Sequence, residues 1–119
     1  MHRPDDSTAP WRVICLCAAW CGVCRDWRAA FDDVAAAHPQ WRFAWVDVED
    51  EAQALGEVDV ETFPTLLVAH GEQPLFYGPM APSAAQLQRL LASLREGGGA
   101  APGPAAALLQ RLLAGVLPA

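Results

Sequence analysis

Residues 11 to 18, WRVICLCA, hold no charged residue after Arg12. A run this short and this rich in Val, Ile and Cys reads as a β-strand buried on both faces, the kind found inside a parallel sheet. From Cys21 to about His38 the period changes. Cys24, Trp27, Phe31 and Val34 recur at helical spacing, Asp32 and Asp33 lie on the other face, and Pro39 stops the pattern. Residues 41 to 48, WRFAWVDV, then read as a second strand. Strand, helix and strand in so short a stretch require a right-handed parallel crossover, and no other feature limits the fold as strongly.

The rest of the chain must cover that unit. Asp50 to Glu57 reads as a short acidic helix ending near Gly56, and PTLLVA (64 to 69) and QPLFY (73 to 77) flank His70, Gly71 and Glu72 as the arms of an antiparallel hairpin. Pro74 marks the second arm as an edge strand. Ser83 to Arg95 is expected to be a helix with Ser83 as N-cap and Leu87, Leu90, Leu91 and Leu94 as its apolar stripe. Gly97 to Pro104 reads as a flexible linker and Ala105 to Leu117 as a last helix. The expected division is a lead-in at 1–10, one folded domain at 11–96, a linker at 97–104 and a C-terminal helix at 105–119. The echo of AAQLQRLLASL (84 to 94) in AALLQRLLAGV (106 to 116) is compositional, since a solenoid needs more than one repetition.

Charge narrows the function classes. The net charge is −6 and the eight arginines are scattered, so no basic stripe is available to follow a phosphate backbone, and nucleic acid is not an expected partner. The absence of lysine points to genomic composition bias and a bacterial source. No window approaches the ~20 apolar residues of a membrane helix, and MHRPDDSTAPW has no apolar run of signal-peptide length. A cytoplasmic protein is expected. Cytosolic thiols are kept reduced, which favours catalytic or metal-binding roles for clustered cysteines over structural disulfides.

All four cysteines fall between Cys15 and Cys24, spaced CxCxxxCxxC. On a strand Cys15 and Cys17 share one face, and a disulfide between them would strain against the pleat. Together with Cys21 and Cys24 on the next helical turn they could just reach a single metal, so metal binding stays open. The remaining unit is Cys21 with Cys24. A CxxC at the mouth of a helix sets the first thiol beside unsatisfied N–H groups and the positive end of the helix dipole, which favour the nucleophilic thiolate. The second thiol, one turn later, can attack the mixed disulfide that the first has formed.

Taken alone, a CxxC is equally half of a metal knuckle. Its context is more specific: WCGVC at 20 to 24, TFPTLLV at 62 to 68, HGE at 70 to 72, and Gly78 before a core helix. In this order the residues resemble the thioredoxin superfamily over roughly residues 11 to 95. The resemblance implies an α/β thioredoxin-like fold: a central mixed four-stranded sheet flanked by helices, here with a shortened N-terminus and an extra C-terminal helix. It implies that Cys21 is the exposed nucleophile and Cys24 the buried resolving thiol. Trp20 flanks the substrate surface, Pro64 is the cis-proline facing the disulfide, the backbone of Phe63 pairs an extended substrate segment, and Thr65 follows. No metal and no cofactor beyond a redox-active Cys21–Cys24 disulfide is implied. The implied partners are protein disulfides and a thiol/disulfide reductase, with the protein a monomer or weak dimer.

The chain also departs from the family. Cys15 stands where a buried aspartate is usual and Trp45 where a lysine accompanies it, so the usual proton relay is absent and Cys24 has a poorer base. Cys17 replaces an aromatic, Val23 the proline between the cysteines, and Ala29 the proline that kinks the helix. Cys15 and Cys17 read most simply as small buried hydrophobes, with a redox role secondary. The family's N-terminal strand and helix are also lacking, which bares one face of the sheet and the edge of residues 41 to 48. The 105 to 117 helix is expected to fold back there, because eight linker residues span up to ~25 Å at ~3.3 Å each, or else to dock on another molecule. The expected function is a thiol:disulfide oxidoreductase reducing protein disulfides. The alternatives are a non-catalytic interaction module binding through Trp20, Val23 and Phe63, and then a metal or iron–sulfur carrier.

Overall fold

The computed structural model describes residues 10–18, 21–56, 60, 64–97 and 103–117. Four strands form one sheet: β1 (Trp11–Cys17), β2 (Trp41–Asp47), β3 (Thr65–His70) and β4 (Gln73–Pro79), in the order β2-β1-β3-β4. β1 pairs with β2 in parallel, Trp11 opposite Trp41 and Cys17 opposite Asp47, with α1 (Gly22–Ala37) as the crossover. β3 runs antiparallel to both β1 and β4, so the sheet is mixed. The continuous apolar run of the first strand follows from this order, because β1 has a strand on each side and a layer on each face.

Gly71 and Glu72 close the β3–β4 hairpin, and Gly71 takes the positive φ (62°) that so tight a turn requires. β4 is an edge strand, as its proline requires: Pro74 lies opposite Ala69 at a register shift where Leu75 is left unpaired. α2 (Ala52–Leu55) is one short turn, and α3 (Ala84–Arg95) is capped by the Ser83 hydroxyl accepting from the Gln86 amide at 3.3 Å.

Strand alternation sorts the core into two layers. Val13, Cys15, Cys17, Leu66 and Val68 face α1 and α3, meeting Trp27, Phe31, Leu87 and Leu91. Ile14, Leu16, Leu67 and Ala69 face the opposite way, onto α4 (Gly103–Gly115), whose Ala105, Leu108, Leu109 and Leu112 are fully buried. The last helix thus covers the bare face of the sheet. It does not line the β2 edge: it packs between α2 and β4, and its Arg111 donates to the carbonyls of Ala54 (2.6 Å) and Leu55 (2.9 Å) at the end of α2. The charge-assisted bonds satisfy carbonyls that a helix terminus leaves open. No helix among the described residues is long and apolar enough to cross a membrane.

Candidate active site

The thiols gather where the first turn of α1 meets the C-terminal ends of β1 and β2. Cys21 is the N-cap of α1, with extended backbone (φ −83°, ψ 116°) and no capping hydrogen bond from its side chain. Its amide donates to the Ala18 carbonyl (3.0 Å) and its carbonyl accepts from the Arg25 amide (3.2 Å), pinning the turn from strand to helix. The Cys21 thiol is free and half-buried. Cys24, one turn on, belongs to the inward stripe with Trp27, Phe31 and Val34 and is 1% exposed.

The sulfur of Cys24 is bonded to that of Cys17, with the Cα atoms 6.0 Å apart. This differs from the Cys21–Cys24 disulfide expected from the resemblance. The reason is directional. A side chain on the buried stripe of α1 points at the sheet, Cys17 lies on the sheet face that receives it, and Cys21 stands outside the helix at its rim. The expectation that Cys15 and Cys17 share a face holds, but Cys17 is a bonding partner and not only a small hydrophobe. Strand parity and helical phase in the sequence turn Cys17 and Cys24 inward, and the packing of α1 on the sheet makes them partners.

Cys15 lies beneath this disulfide, 0% exposed, its Sγ 3.6 Å from that of Cys17. Burial pushes its thiol up to about 12, with the Trp27 indole and the Arg28 charge pulling weakly back. The indole N–H of Trp27 nears Cys15 without meeting hydrogen-bond geometry and has no other partner. A thiol ionises near pH 8.5 in an unfolded chain, so between there and about pH 12 the folded protein holds a proton that the unfolded chain has lost. Stability from this group is therefore complete below the unfolded value and falls as the pH rises, by up to ~1.4 kcal/mol per unit. Tyr77, also raised by burial, acts in the same direction. Denaturant titrations of the oxidised protein at pH 8 and 10 will show the decline, and Cys15→Ala will flatten it.

Thr65 pairs with Leu16, which brings Pro64 to the end of β1 beside Cys17; both residues are buried. Trp20 and Phe63 lie outside the described residues. Val23 is 47% exposed, an apolar side chain one residue from the Cys24 turn. His38 binds the Val34 carbonyl at the end of α1 (3.0 Å) and His70 stacks on Trp11 (4.2 Å between centroids), so neither joins the thiols. Among the described residues no group of three or more His, Cys, Asp or Glu converges as a metal cage.

Sequence reasoning missed a cleft of about 620 Å³ beside Cys24, lined by Arg25, Arg28, Trp45, Asp47 and Glu51 among others. The Arg28 guanidinium lies over the Trp45 ring, 4.6 Å from its centroid. The position of Arg28, one helical turn after Cys24, was its only mark in the sequence.

Residues 7–93 match the sequence model of the Thioredoxin family. The chain is 27% identical to putative thioredoxin 2 of Streptomyces coelicolor over 79 residues, which cover 66% of this chain and 59% of that protein. It is 36% identical to a thioredoxin H-type of Brassica campestris over 63 residues, 53% of this chain and 51% of the other. The chain thus spans little more than half the length of these curated relatives. Among solved structures, Fasciola hepatica thioredoxin superposes with a TM-score of 0.65 at 21% identity, covering 75% of this chain and 86% of its own. Thioredoxin from Trypanosoma brucei brucei gives 0.65 at 22% identity, with 76% and 80% covered. These two share the fold. With a family match extending over residues 7–93, most of its length, this chain belongs to the thioredoxin family.

Proposed function

We propose that the protein is a thiol:disulfide oxidoreductase that reduces protein disulfides, with Cys21 as nucleophile and Cys24 as resolving thiol. The observation that carries this reading is the placement of the two sulfurs: Cys21 is half-buried at the N-cap of α1, while Cys24 is one turn deeper and 1% exposed. The Cys21 thiolate attacks one sulfur of a substrate disulfide and expels the other as a thiolate, leaving a mixed disulfide. Cys24 then attacks the Cys21 sulfur, closing an intramolecular bond and releasing the second substrate thiol. The exposed Val23 and the end of β3 at Pro64 offer an apolar rim and a strand terminus against which an extended substrate segment can lie. Cys15 does not serve as a strong base for Cys24, because its neutral form is favoured by burial. A thiol/disulfide reductase would return the protein to the dithiol form.

Cys24→Ser tests the reading. With the resolving thiol gone, the first intermediate cannot collapse, and the variant should accumulate a mixed disulfide between Cys21 and a model substrate such as insulin, visible as a mass adduct that dithiothreitol removes. No adduct under oxidising conditions would leave a binding module of the same fold as the better account.

A further inference from the structure

The mechanism above uses two sulfurs, yet Cys24 is bonded to a third, and a fourth lies 3.6 Å beyond that one. We propose that Cys24 exchanges partners after each turnover, so that the disulfide formed with Cys21 is passed inward to Cys17 and Cys21 returns to the surface as a free thiol. This rests on the oxidoreductase reading and extends it by one isomerisation.

The step balances without any added oxidant. Cys17 Sγ attacks Cys24 Sγ, the Cys21–Cys24 bond breaks, and the Cys17–Cys24 bond forms. The Cys21 sulfur leaves as thiolate and takes up the proton that Cys17 gives up. One disulfide is present before and after. Geometry places Cys24 within reach of both partners. Its Cα lies 6.0 Å from that of Cys17, inside the range a disulfide spans, and Cys21 is three residues earlier, the N-cap of the same helix.

The interior also supplies a donor for the exchange. Cys15 carries its proton at neutral pH and lies within donor distance of Cys17 Sγ, so its S–H can stabilise the Cys17 thiolate that forms before the attack. Cys17, Cys24 and Cys15 are each 1% exposed or less, so an external thiol reaches the inner disulfide mainly by way of Cys21 and only slowly by a direct route. The oxidised protein stores its disulfide out of solvent and still presents a nucleophile, which can hold a second disulfide substrate as a mixed disulfide.

The sequence makes the test direct. Trypsin releases all four cysteines on one peptide, Val13 to Arg25, and chymotryptic cleavage after Trp20 divides it into Val13–Trp20 and Cys21–Arg25. A Cys17–Cys24 bond ties the two pieces together, whereas Cys21–Cys24 stays inside the second. The full chain is oxidised with oxidised glutathione, quenched in acid, and its free thiols are alkylated before digestion. The expected product is the tied pair with labels on Cys15 and Cys21. In Cys17→Ser the tied pair disappears, Cys21 loses its label and the second peptide carries the disulfide. Cys21→Ser still loses two hydrogens on oxidation, and its disulfide is reduced by external thiol about tenfold or more slowly than in the parent.

A wild-type disulfide confined to the second peptide, with Cys21→Ser remaining fully reduced, would sink the proposal. If Cys17→Ser does not fold, Cys21→Ser decides alone, since its change lies at the rim. Failure here alongside a trapped Cys24→Ser adduct overturns only the partner exchange, whereas a missing adduct overturns the oxidoreductase reading itself.

Discussion

Cys21→Ser lowers the rate of protein-disulfide reduction by at least about a thousandfold, to the background of the assay. Among the described residues Cys21 is the only cysteine with appreciable exposure, the other three being 1% exposed or less, so no neighbouring thiol substitutes for it. A serine hydroxyl is not ionised near neutral pH, and neither described histidine is placed to activate it. The loss will not reflect unfolding. Cys21 is an N-cap that makes no side-chain capping bond, whereas serine is among the preferred residues there and stabilises a helix by about 1 kcal/mol over a poor cap. The variant is expected to melt at or slightly above the temperature of the parent while losing insulin reduction. Retained activity would move the nucleophile to another residue.

Leu109→Ala is expected to cost roughly 2–5 kcal/mol, a large share of the stability of a domain this size. Leu109 is 0% exposed between α4 and the sheet face formed by Ile14, Leu16, Leu67 and Ala69, so truncation loses buried area and leaves a cavity that the rigid sheet fills poorly. Ala106→Gln, at an exposed position of the same helix, should change stability by less than about 0.5 kcal/mol. Urea unfolding of the two variants compares these effects at constant helix length. Equal midpoints would mean that α4 does not hold the sheet face in solution and is free for another molecule.

Much of this architecture was legible in the sequence because local pattern and tertiary role agree. The apolar run at 11 to 18 is continuous because β1 lies between two strands and two layers, and the Trp27, Phe31 and Val34 stripe has helical period because only one side of α1 meets the sheet. Ser83 caps its helix as its residue type predicts, and Pro74 lies on an edge strand because only there is a missing N–H tolerated. Helix boundaries moved by a residue or two: the last helix runs from Gly103 to Gly115 instead of from Ala105 to Leu117. The edge of β2, expected to be shielded by that helix, is not its site, because the helix stripe of Leu108, Leu109 and Leu112 matches a flat apolar face better than a strand edge of backbone groups.

By itself the sequence determined the strand and helix order, the parity that turns Cys15 and Cys17 to one side, and the position of one thiol at the helix mouth and another, inward, one turn later. These follow from periods of 2 and 3.6 residues and from residue chemistry, which act over a few positions. Only the tertiary structure decided which sulfur meets Cys24. That depends on the approach of α1 to the end of β1, on the 6.0 Å between Cys17 and Cys24, and on the burial that keeps Cys15 protonated beneath them. Sequence spacing ranks Cys21 as the nearer partner along the chain, but a disulfide forms between side chains that face each other across the packed layers, and packing is a property of the whole fold.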